Sequence, residues 1–336
     1  MPEFPLVRRV LERASMRKLA SLLVSVFVFA LASTTTGCKK PYEGTEEGEI
    51  EVGDRDRTYL YHHPTGWGAP ENAGKTFPLV ISLHGRLGQG IHQESTTHMS
   101  DVADREGFIV VYPNGFRRSW HDARESGPAA DHHVDDVAFI DALIDRFVAD
   151  HAADPTRVYI TGLSNGGFMT YRIACELADK IAAAAPVIAL MPDQTPFECK
   201  PSRPVPMMIT VGDSDPLIPF EGGAVTGDDD KGHNMSAHAT RAKWAELDGC
   251  EGGVDFMQTI DAVDDGTRIH EMRYSKCAQG SEVVLFTVEG GGHTWPGGDV
   301  HLPERIVGKT SRDLHLSEEI WTFFRRHRSE ATNQVF

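Results

Sequence analysis

The residues best suited to chemistry form a Gly-Leu-Ser-Asn-Gly segment at positions 162–166. Upstream, residues 157–161 alternate in polarity and are rich in β-branched side chains, which is typical of a short buried strand. Downstream, the apolar residues of 167–175 recur at helical spacing. A serine on a sharp turn between a strand and a helix can act as a nucleophile, and flanking glycines avoid clashes in such a strained turn. We therefore predict that Ser164 is a catalytic nucleophile.

A serine hydroxyl is a weak nucleophile, so it needs a histidine base that is itself oriented by a carboxylate. On a strand-turn-helix arrangement these partners follow later in the chain, the acid first and the histidine second. His293 follows a predicted strand at 282–288, on a loop that begins with three glycines. Asp213 and Asp215 both follow a predicted strand at 206–212. Spacing alone does not separate these two aspartates, and either could instead cap a turn.

Attack on a carbonyl creates an oxyanion that must be stabilised by N–H donors. The residue directly after the nucleophile, Asn165, is expected to supply one backbone N–H. The second donor normally comes from the loop after an early central strand, and residues 83–88 (Leu-His-Gly-Arg-Leu-Gly) occupy that place. We predict that the donor is the N–H of Arg86, and that His84 supports the loop through its ring nitrogens.

Strand-like and helix-like segments alternate along the chain and would position these residues. Strands are predicted at 57–63, 77–83, 108–113, 157–161, 184–189, 206–212 and 282–288, and helices at 135–151, 167–175, 236–247 and 317–328. Such alternation predicts an α/β fold with a mostly parallel central sheet and helices on both faces. Neither a repeat nor an internal linker interrupts the pattern, so we predict a single catalytic domain over residues 57–330.

The N-terminal segment predicts export. Residues 1–37 contain a basic stretch followed by an apolar run too short for a comfortable membrane span, as in a signal peptide, and Met16 is the better start for it. The Gly-Cys pair ending at Cys38 resembles a bacterial lipobox, which predicts lipidation, with ordinary cleavage nearby as the alternative. The polar, acidic residues 38–56 are predicted to form a tether. We expect an extracellular or envelope-anchored protein that contacts membrane only through this lipid.

The charge of the chain restricts its partners. The formal net charge is −16, and removing residues 1–37, which carry a net +3, takes it to −19. Such a protein does not bind nucleic acid or anionic polymers through bulk charge, so neutral or weakly charged substrates fit better. The histidine pairs at 62–63 and 132–133 lack metal-ligand spacing and are predicted to be surface or loop residues. No metal or cofactor is expected.

The cysteines other than Cys38 are even in number, which in an exported chain suggests two disulfides. They are Cys175, Cys199, Cys250 and Cys277. Three pairings are possible, and pairing each cysteine with its neighbour in sequence closes the shortest loops. A zinc site is the rival interpretation, but the chain has no C-x-x-C or C-x-x-H pair.

Several further motifs occur in a characteristic order together with these residues. They lie at 83–85, 104–113, 119–122, 135–137, 162–167, 213–216 and 291–297. Together they resemble the secreted esterase family that contains polyhydroxybutyrate depolymerases, LpqC-like lipoproteins and bacterial feruloyl and acetylxylan esterases. The resemblance runs from about residue 55 to 328 and implies the α/β-hydrolase fold. It also implies Ser164 as nucleophile, Asp215 as acid and His293 as base, and it supports the two short-loop disulfides.

Two departures from the family pattern bear on the substrate. This chain has Arg86 where the family usually has an uncharged or small residue, and His121 where it often has asparagine. We expect Trp120, His121 and Trp295 to line the active-site mouth, where the tryptophans could stack a phenolic or sugar ring.

The predicted function is that of a serine carboxylic ester hydrolase working through an acyl-enzyme. Its expected substrates are feruloyl or acetyl esters of polysaccharide, or hydroxyalkanoate oligomers. One alternative is a surface lipoprotein that uses the fold for binding. Another is a serine peptidase of the prolyl-oligopeptidase type, although such enzymes usually carry a propeller domain that this length does not accommodate.

Overall fold

The computed structural model describes residues 40–124, 126–193, 197–226 and 232–330. The predicted signal peptide and Cys38 lie outside these residues. The strands are β1 (Thr45–Val52), β2 (Arg55–His62), β3 (Phe77–Leu83), β4 (Ile109–Pro113), β5 (Ala153–Leu163), β6 (Ala183–Val187), β7 (Met207–Gly212), β8 (Gly223–Ala224), β9 (His233–Asn234), β10 (Phe256–Ile260), β11 (Arg268–Tyr274) and β12 (Val283–Glu289). The α-helices are α1 (Gly90–Thr97), α2 (Met99–Glu106), α3 (Pro128–Asp131), α4 (Asp136–Asp150), α5 (Asn165–Glu176), α6 (Ala237–Leu247), α7 (Glu304–Val307) and α8 (Leu316–Phe324).

One large sheet organises the described part of the chain. Its strand order is β1-β2-β4-β3-β5-β6-β7-β12-β11-β10. The central strands β4, β3, β5, β6, β7 and β12 run parallel, whereas β1, β2, β11 and β10 add antiparallel pairs at the two edges. The predicted mostly parallel sheet is therefore confirmed, and the antiparallel edges are additions to it.

Helices cover both faces of this sheet. Alternate residues of β3 point to opposite faces, because side chains alternate along a strand. Leu79 and Ile81 pack with α4, α5 and α6, while Val80 packs in the separate cluster that includes α2 and α8. A strand buried on both faces reads as an apolar run, which is why β3 was recognisable from sequence. No helix within the described ranges is long and apolar enough to cross a membrane.

The predicted acidic tether is shorter than expected, because much of it is a strand. β1 pairs antiparallel with β2 along its whole length, from the pair Thr45 with His62 to the pair Val52 with Arg55. Only residues 53 and 54 separate the two strands, and Gly53 has a φ of 62°. A Gly-Asp pair between alternating segments is a recognised hairpin signal, so the sequence carried evidence of this strand.

Specific contacts tie β1 to the domain. The ring of Tyr59 lies over Gly48, so that a Cβ at Gly48 would stand 2.4 Å from it. The Arg146 guanidinium donates to the Glu49 carbonyl at 2.7 Å, and the Thr45 hydroxyl donates to the Glu94 carboxylate at 2.6 Å. The domain therefore begins before residue 57, and β2 is an internal strand of the sheet.

The histidine pairs also differ from expectation in part. His62 is buried, and its Nε2 lies 3.1 Å from an Asp104 carboxylate oxygen. The prediction of a surface or loop position is therefore wrong for His62, which lies in β2 with its ring packed against Tyr42 and Asp104. His132 and His133 are exposed, as predicted.

Both predicted disulfides are present, Cys175–Cys199 and Cys250–Cys277, with sequence separations of 24 and 27 residues. The first links the end of α5 to the segment that follows residue 197. The second links the segment after α6 to the segment before β12. The first bridge therefore ties the end of a helix to the segment before β7, and the second ties together two segments that lie outside the strands.

Candidate active site

Ser164 makes the turn between β5 and α5 by itself. Its φ of 56° and ψ of −118° lie outside the regions that L-residues usually adopt. Its N–H donates to the Val187 carbonyl at the end of β6, at 2.9 Å, which fixes the strained main chain against the sheet. The residue is partly exposed at the carboxyl end of the parallel strands. This is the place and conformation of a nucleophile elbow.

The glycines on either side of Ser164 are needed because backbone elements approach each other closely. A Cβ at Gly162 would stand 2.4 Å from the Gly166 carbonyl oxygen. A Cβ at Gly166 would stand 2.4 Å from the Leu83 carbonyl oxygen. The expected clash of a side chain with neighbouring elements is confirmed. Because glycine has no Cβ, the first turn of α5 can pack directly on the end of β3.

Asp215 and His293 are brought together across the carboxyl ends of β7 and β12. Their side chains share a hydrogen bond of 2.8 Å between His293 Nδ1 and Asp215 Oδ2. The other oxygen of Asp215 accepts the N–H groups of Leu217 and Ile218, at 2.7 and 3.0 Å. The Asp215 side chain is only 2% exposed. Three bonds therefore hold this carboxylate in one orientation toward the imidazole.

Asp213 has different partners, so the structure separates the two aspartates. Its carboxylate accepts the Gly290 N–H at 2.7 Å and the Ser214 hydroxyl at 3.0 Å. The bond to the Gly290 N–H fixes the start of the loop that carries His293. Asp213 thus supports the loop, and Asp215 alone of the two contacts the His293 ring.

The glycines before His293 serve close packing more than backbone freedom. Of the three, Gly290 has a positive φ, of 71°. A Cβ at Gly292 would stand 2.1 Å from the Val307 carbonyl oxygen, and one at Gly212 would stand 2.3 Å from the Gly291 oxygen. The loop can therefore pack closely on the ends of β7 and α7. This packing places His293 beside Asp215.

No hydrogen bond between described residues engages the Ser164 hydroxyl, and none joins it to His293. Serine–histidine bonds are often long or poorly aligned in ligand-free enzymes and shorten when substrate binds. Ser164 and His293 nevertheless follow strands whose carboxyl ends lie on the same side of the sheet, because β5, β7 and β12 are parallel.

The predicted oxyanion loop lies against the elbow. A Cβ at Gly85 would stand 3.4 Å from the Ser164 Cβ and 3.3 Å from the Leu163 carbonyl oxygen. Within this loop the Leu87 N–H donates to Arg118 O at 2.8 Å and the Gly88 N–H donates to Gly85 O at 2.9 Å, which fixes the course of its main chain. On the other side of the elbow, Asn165 is the first residue of α5, and the first amides of a helix have no intrahelical acceptor.

His84 has the structural role predicted for it. Its ring is buried, and its Nε2 accepts the Gly115 N–H at 2.9 Å. The protonated nitrogen is then Nδ1, which donates to the Gly85 carbonyl at 2.7 Å. Burial lowers the pKa of His84 to about 4, so the ring is neutral at physiological pH and keeps this tautomer.

The predicted substrate-lining tryptophans are not at the surface of the site. Trp120 is fully buried and its indole N–H donates to the His84 carbonyl at 2.8 Å. Trp295 is also buried, with its indole N–H directed to the Ser317 hydroxyl at 3.2 Å. Neither ring offers a face for stacking a substrate, so this prediction is wrong. Both side chains pack into the domain, where an indole that has a hydrogen-bond acceptor is well accommodated.

His121 is only partly exposed and its main chain is held on both sides. Its N–H donates to the Asp136 carboxylate at 2.8 Å, and its carbonyl accepts from Arg172 at 2.6 Å. The ring lies with Nδ1 3.1 Å from the Val134 carbonyl. These contacts describe a well-anchored loop residue and give no direct support to a lining role.

Sequence reasoning missed a buried polar network beside the elbow. Asp122 forms a buried ion pair with Arg124, and Asp136 forms one with Arg57 at 2.6 Å. Burial raises the pKa of Asp136, while Arg57 opposes that rise. These aspartates lie within the motifs at 119–122 and 135–137, but their types alone did not reveal what they contact. The Asn165 side chain joins the same network.

The sheet order, the elbow after β5, the carboxylate after β7 and the histidine after β12 define an α/β-hydrolase. Residues 63–189 match the family described as Esterase PHB depolymerase. The chain is 31% identical over 282 residues to a protein of Nocardia uniformis subsp. tsuyamanensis named "Putative esterase NocK", covering 82% of this chain and 80% of that protein. The chain therefore belongs to this esterase family and is a carboxylic ester hydrolase.

Two further similarities concern a curated enzyme and a solved structure. Feruloyl esterase B of Piromyces equi is 31% identical over 240 residues, which is 70% of this chain but 42% of that enzyme. The chain thus spans less than half the length of that relative. Among solved structures, an acetyl xylan esterase from Aspergillus awamori superposes with a TM-score of 0.54 at 15% identity, covering 83% of this chain and 98% of that one. This last likeness concerns the fold alone.

Proposed function

We propose that the chain cleaves carboxylic esters through an acyl-enzyme formed on Ser164. The Ser164 oxygen attacks the ester carbonyl while His293 Nε2 takes its proton, and Asp215 stabilises the imidazolium through Nδ1–H. The N–H groups of Asn165 and Arg86 donate to the oxyanion. The tetrahedral intermediate collapses, the C–O bond to the alcohol breaks, and His293 returns the proton to the leaving oxygen.

Hydrolysis of the acyl-enzyme repeats these steps with water. His293 removes a proton from water as it attacks the acyl carbonyl, and the carboxylic acid leaves when the proton returns to the Ser164 oxygen. No cofactor enters this sequence, since each proton passes between the serine, the histidine, water and the leaving alcohol.

The observation that carries the proposal is the 2.8 Å hydrogen bond between Asp215 and His293, which lies at the carboxyl ends of the parallel strands, as does the Ser164 elbow. A protein that used the fold only for binding would have no need for a buried carboxylate held by three hydrogen bonds toward an imidazole. For this reason we place catalysis ahead of a binding lipoprotein.

For the substrate we propose soluble or oligomeric esters, either feruloyl or acetyl groups on polysaccharide or short hydroxyalkanoate oligomers. The relatives' names include a feruloyl esterase, and the acidic chain favours neutral substrates. Product release from methyl ferulate, acetylated xylan and hydroxybutyrate oligomers, measured side by side, ranks these classes. A preference for peptide or amide substrates would instead favour the peptidase alternative.

We also propose that the chain is exported and that Cys38 carries the lipid anchor. Both residues 1–37 and Cys38 lie outside the described residues, so the support is the sequence pattern alone. Mass spectrometry of the mature N-terminus distinguishes a diacylated Cys38 from an ordinary cleavage site.

Replacing Ser164 by alanine tests the catalytic proposal. The Ser164→Ala variant should lose hydrolysis of p-nitrophenyl acetate by about 10³-fold or more, because the nucleophile is removed. A fluorophosphonate probe should label the unmodified protein at Ser164 and should not label the variant. Ser275→Ala, which removes an exposed serine hydroxyl bonded to Asp255, is the control and should retain full activity. Turnover by Ser164→Ala at the unmodified rate contradicts the proposal.

A further inference from the structure

The side chain of Asn165 is committed to the protein interior, although the mechanism uses only its backbone N–H. Its amide pairs with the main chain of Trp120 in both directions. The Trp120 N–H donates to Oδ1 at 2.8 Å, and Nδ2 donates to the Trp120 carbonyl at 3.1 Å. Nδ2 also donates to the buried carboxylate of Asp122. The side-chain amide of Asn165 is thus held to the main chain of Trp120 by two hydrogen bonds, one in each direction.

The indole of the same Trp120 holds the opposite side of the elbow. Its N–H donates to the His84 carbonyl at 2.8 Å, and its ring centroid lies 4.9 Å from that of His84. A Cβ at Gly166 would stand 2.7 Å from this same His84 carbonyl oxygen. Trp120 therefore connects the loop of residues 83–88, through its indole, with the start of α5, through its main chain.

His84 passes this constraint to the proposed second oxyanion donor. The carbonyl of Gly85 and the N–H of Arg86 belong to one planar peptide unit, so their directions are opposed. The Gly85 carbonyl is held by His84 Nδ1 at 2.7 Å and by the Gly88 N–H at 2.9 Å. Fixing that carbonyl fixes the direction of the Arg86 N–H.

We propose that Trp120 is a positioning residue that sets the separation and direction of the two oxyanion donors, Asn165 N–H and Arg86 N–H. The inference rests on the proposed function, because it assigns those two amides to the oxyanion. Oxyanion stabilisation depends on donors that stand about 2.7–3.1 Å from the developing charge before the reaction begins. A shift of about 1 Å in either donor can reduce catalysis by roughly 10²-fold. Trp120 acts through His84 and Asn165 and does not touch the substrate.

Trp244 supplies a matched control for the test. It is also fully buried, and its indole N–H also donates to a main-chain carbonyl at 2.8 Å, that of Val205. It lies on α6, away from the elbow. Trp120→Phe and Trp244→Phe therefore remove the same kind of hydrogen bond from the same kind of environment. Comparable losses of thermal stability are expected in both variants.

Only Trp120→Phe should change catalysis. With p-nitrophenyl acetate and butyrate, we expect its kcat to fall by about 10- to 100-fold while KM stays within about twofold, because transition-state binding is weakened and substrate binding is not. Affinity for a trifluoromethyl ketone, whose adduct with Ser164 carries an oxyanion, should fall by a similar factor. The pH dependence of kcat/KM should not move, since the base and its carboxylate are unaffected. Trp244→Phe should retain kcat and inhibitor affinity.

Asn165→Ala tests the contact between Trp120 and the start of α5. It replaces Trp120→Phe as the test if that variant does not fold. This variant keeps the backbone N–H and loses the side-chain bonds to Trp120. Its kcat should fall similarly, and the double variant should be little worse than either single variant, because residues that act as a unit are not additive. An unchanged kcat in Trp120→Phe, or a raised KM with unchanged kcat, overturns the positioning role. Activity that persists in Ser164→Ala would instead refute the acyl-enzyme, so the two failures are distinguishable.

Discussion

Asp213 and Asp215 stand two positions apart in the loop after β7 and have different partners. Asp213 is exposed and ties the loop before His293 through the Gly290 N–H. The side chain of Asp215 is buried and bonds the His293 ring itself. A carboxylate that orients a histidine keeps it in the tautomer whose other nitrogen can accept a proton, whereas a loop anchor does not.

Paired substitutions at these aspartates should have very different effects. Asp215→Asn should lower kcat for p-nitrophenyl acetate on the order of 10³–10⁴-fold, because an amide neither stabilises the imidazolium nor selects the tautomer. Asp213→Asn retains an oxygen that can accept the Gly290 N–H, and its kcat should stay within about threefold, as for most exposed substitutions. Equal losses in the two variants would contradict the assignment of Asp215 as the acid.

At the residue scale, the sequence predicts which residue types do the chemistry better than it predicts their surroundings. Ser164 and His293 could be recognised because the elements before them are strongly patterned. The choice between Asp213 and Asp215 needed the family resemblance, because both follow the strand. An aromatic ring in this motif predicts a lining role for Trp120, yet the position of the residue depends on tertiary contacts with His84 and Asn165 that no local pattern encodes.

At the scale of elements, the hairpin β1–β2 decides where the domain begins. The central parallel strands could be predicted because burial on both faces makes them apolar runs. β1 was missed because its sequence, Thr-Glu-Glu-Gly-Glu-Ile-Glu-Val, is acidic and its residues are exposed or only partly buried. β10, at the other edge, is not acidic, but most of its residues are exposed and it too was missed. Edge strands carry weak patterns because only part of their surface packs on the core.

Gly48→Ala tests whether β1 is an integral strand. The added Cβ would stand 2.4 Å from the ring of Tyr59, which is buried, so the ring must shift. We expect the free energy of unfolding, measured by urea denaturation, to fall by about 1–3 kcal/mol, as in other overpacked sites. Glu47→Ala, an exposed change on the same strand, is the control and should alter stability by no more than about 0.5 kcal/mol. If residues 38–56 formed a tether, both substitutions would be silent.

At the scale of the whole molecule, stability and pH are linked through buried carboxyl groups. Asp248 is fully buried at the end of α6, where it accepts the Val205 N–H before β7 and the Ser281 hydroxyl before β12. Burial raises the pKa of Asp248 from 3.8 to about 7, although its two hydrogen bonds and Arg203 act in the opposite direction. In the unfolded chain the pKa of this carboxyl is near its ordinary value of 3.8. Between about pH 4 and pH 7 the folded protein therefore binds one proton at Asp248 that the unfolded chain has lost.

The sign of the pH effect follows from that difference. A raised pKa means that Asp248 contributes stability fully below about pH 4, and that this contribution is lost as the pH rises to about 7. Asp248→Asn removes the titration but keeps an oxygen for Val205 and an N–H for Ser281. The variant should therefore gain stability relative to the unmodified protein as the pH rises from 4.5 to 8, by an amount on the order of 1–4 kcal/mol.

Urea denaturation at several pH values measures this gain directly. Other carboxylates, such as Asp154 and Glu282, have a lowered pKa in the fold and favour unfolding in acid. Their contribution is the same in both proteins, so it cancels when the two stabilities are compared at each pH. Asp54→Asn, at a side chain that is 91% exposed, is the control and should alter stability by no more than about 0.5 kcal/mol. A difference for Asp248→Asn that does not grow between pH 4.5 and 8 would show that this carboxyl is ionised throughout in the folded protein. The three elements that meet at Asp248 would then be joined around a buried charge, and the amide would weaken that junction at every pH.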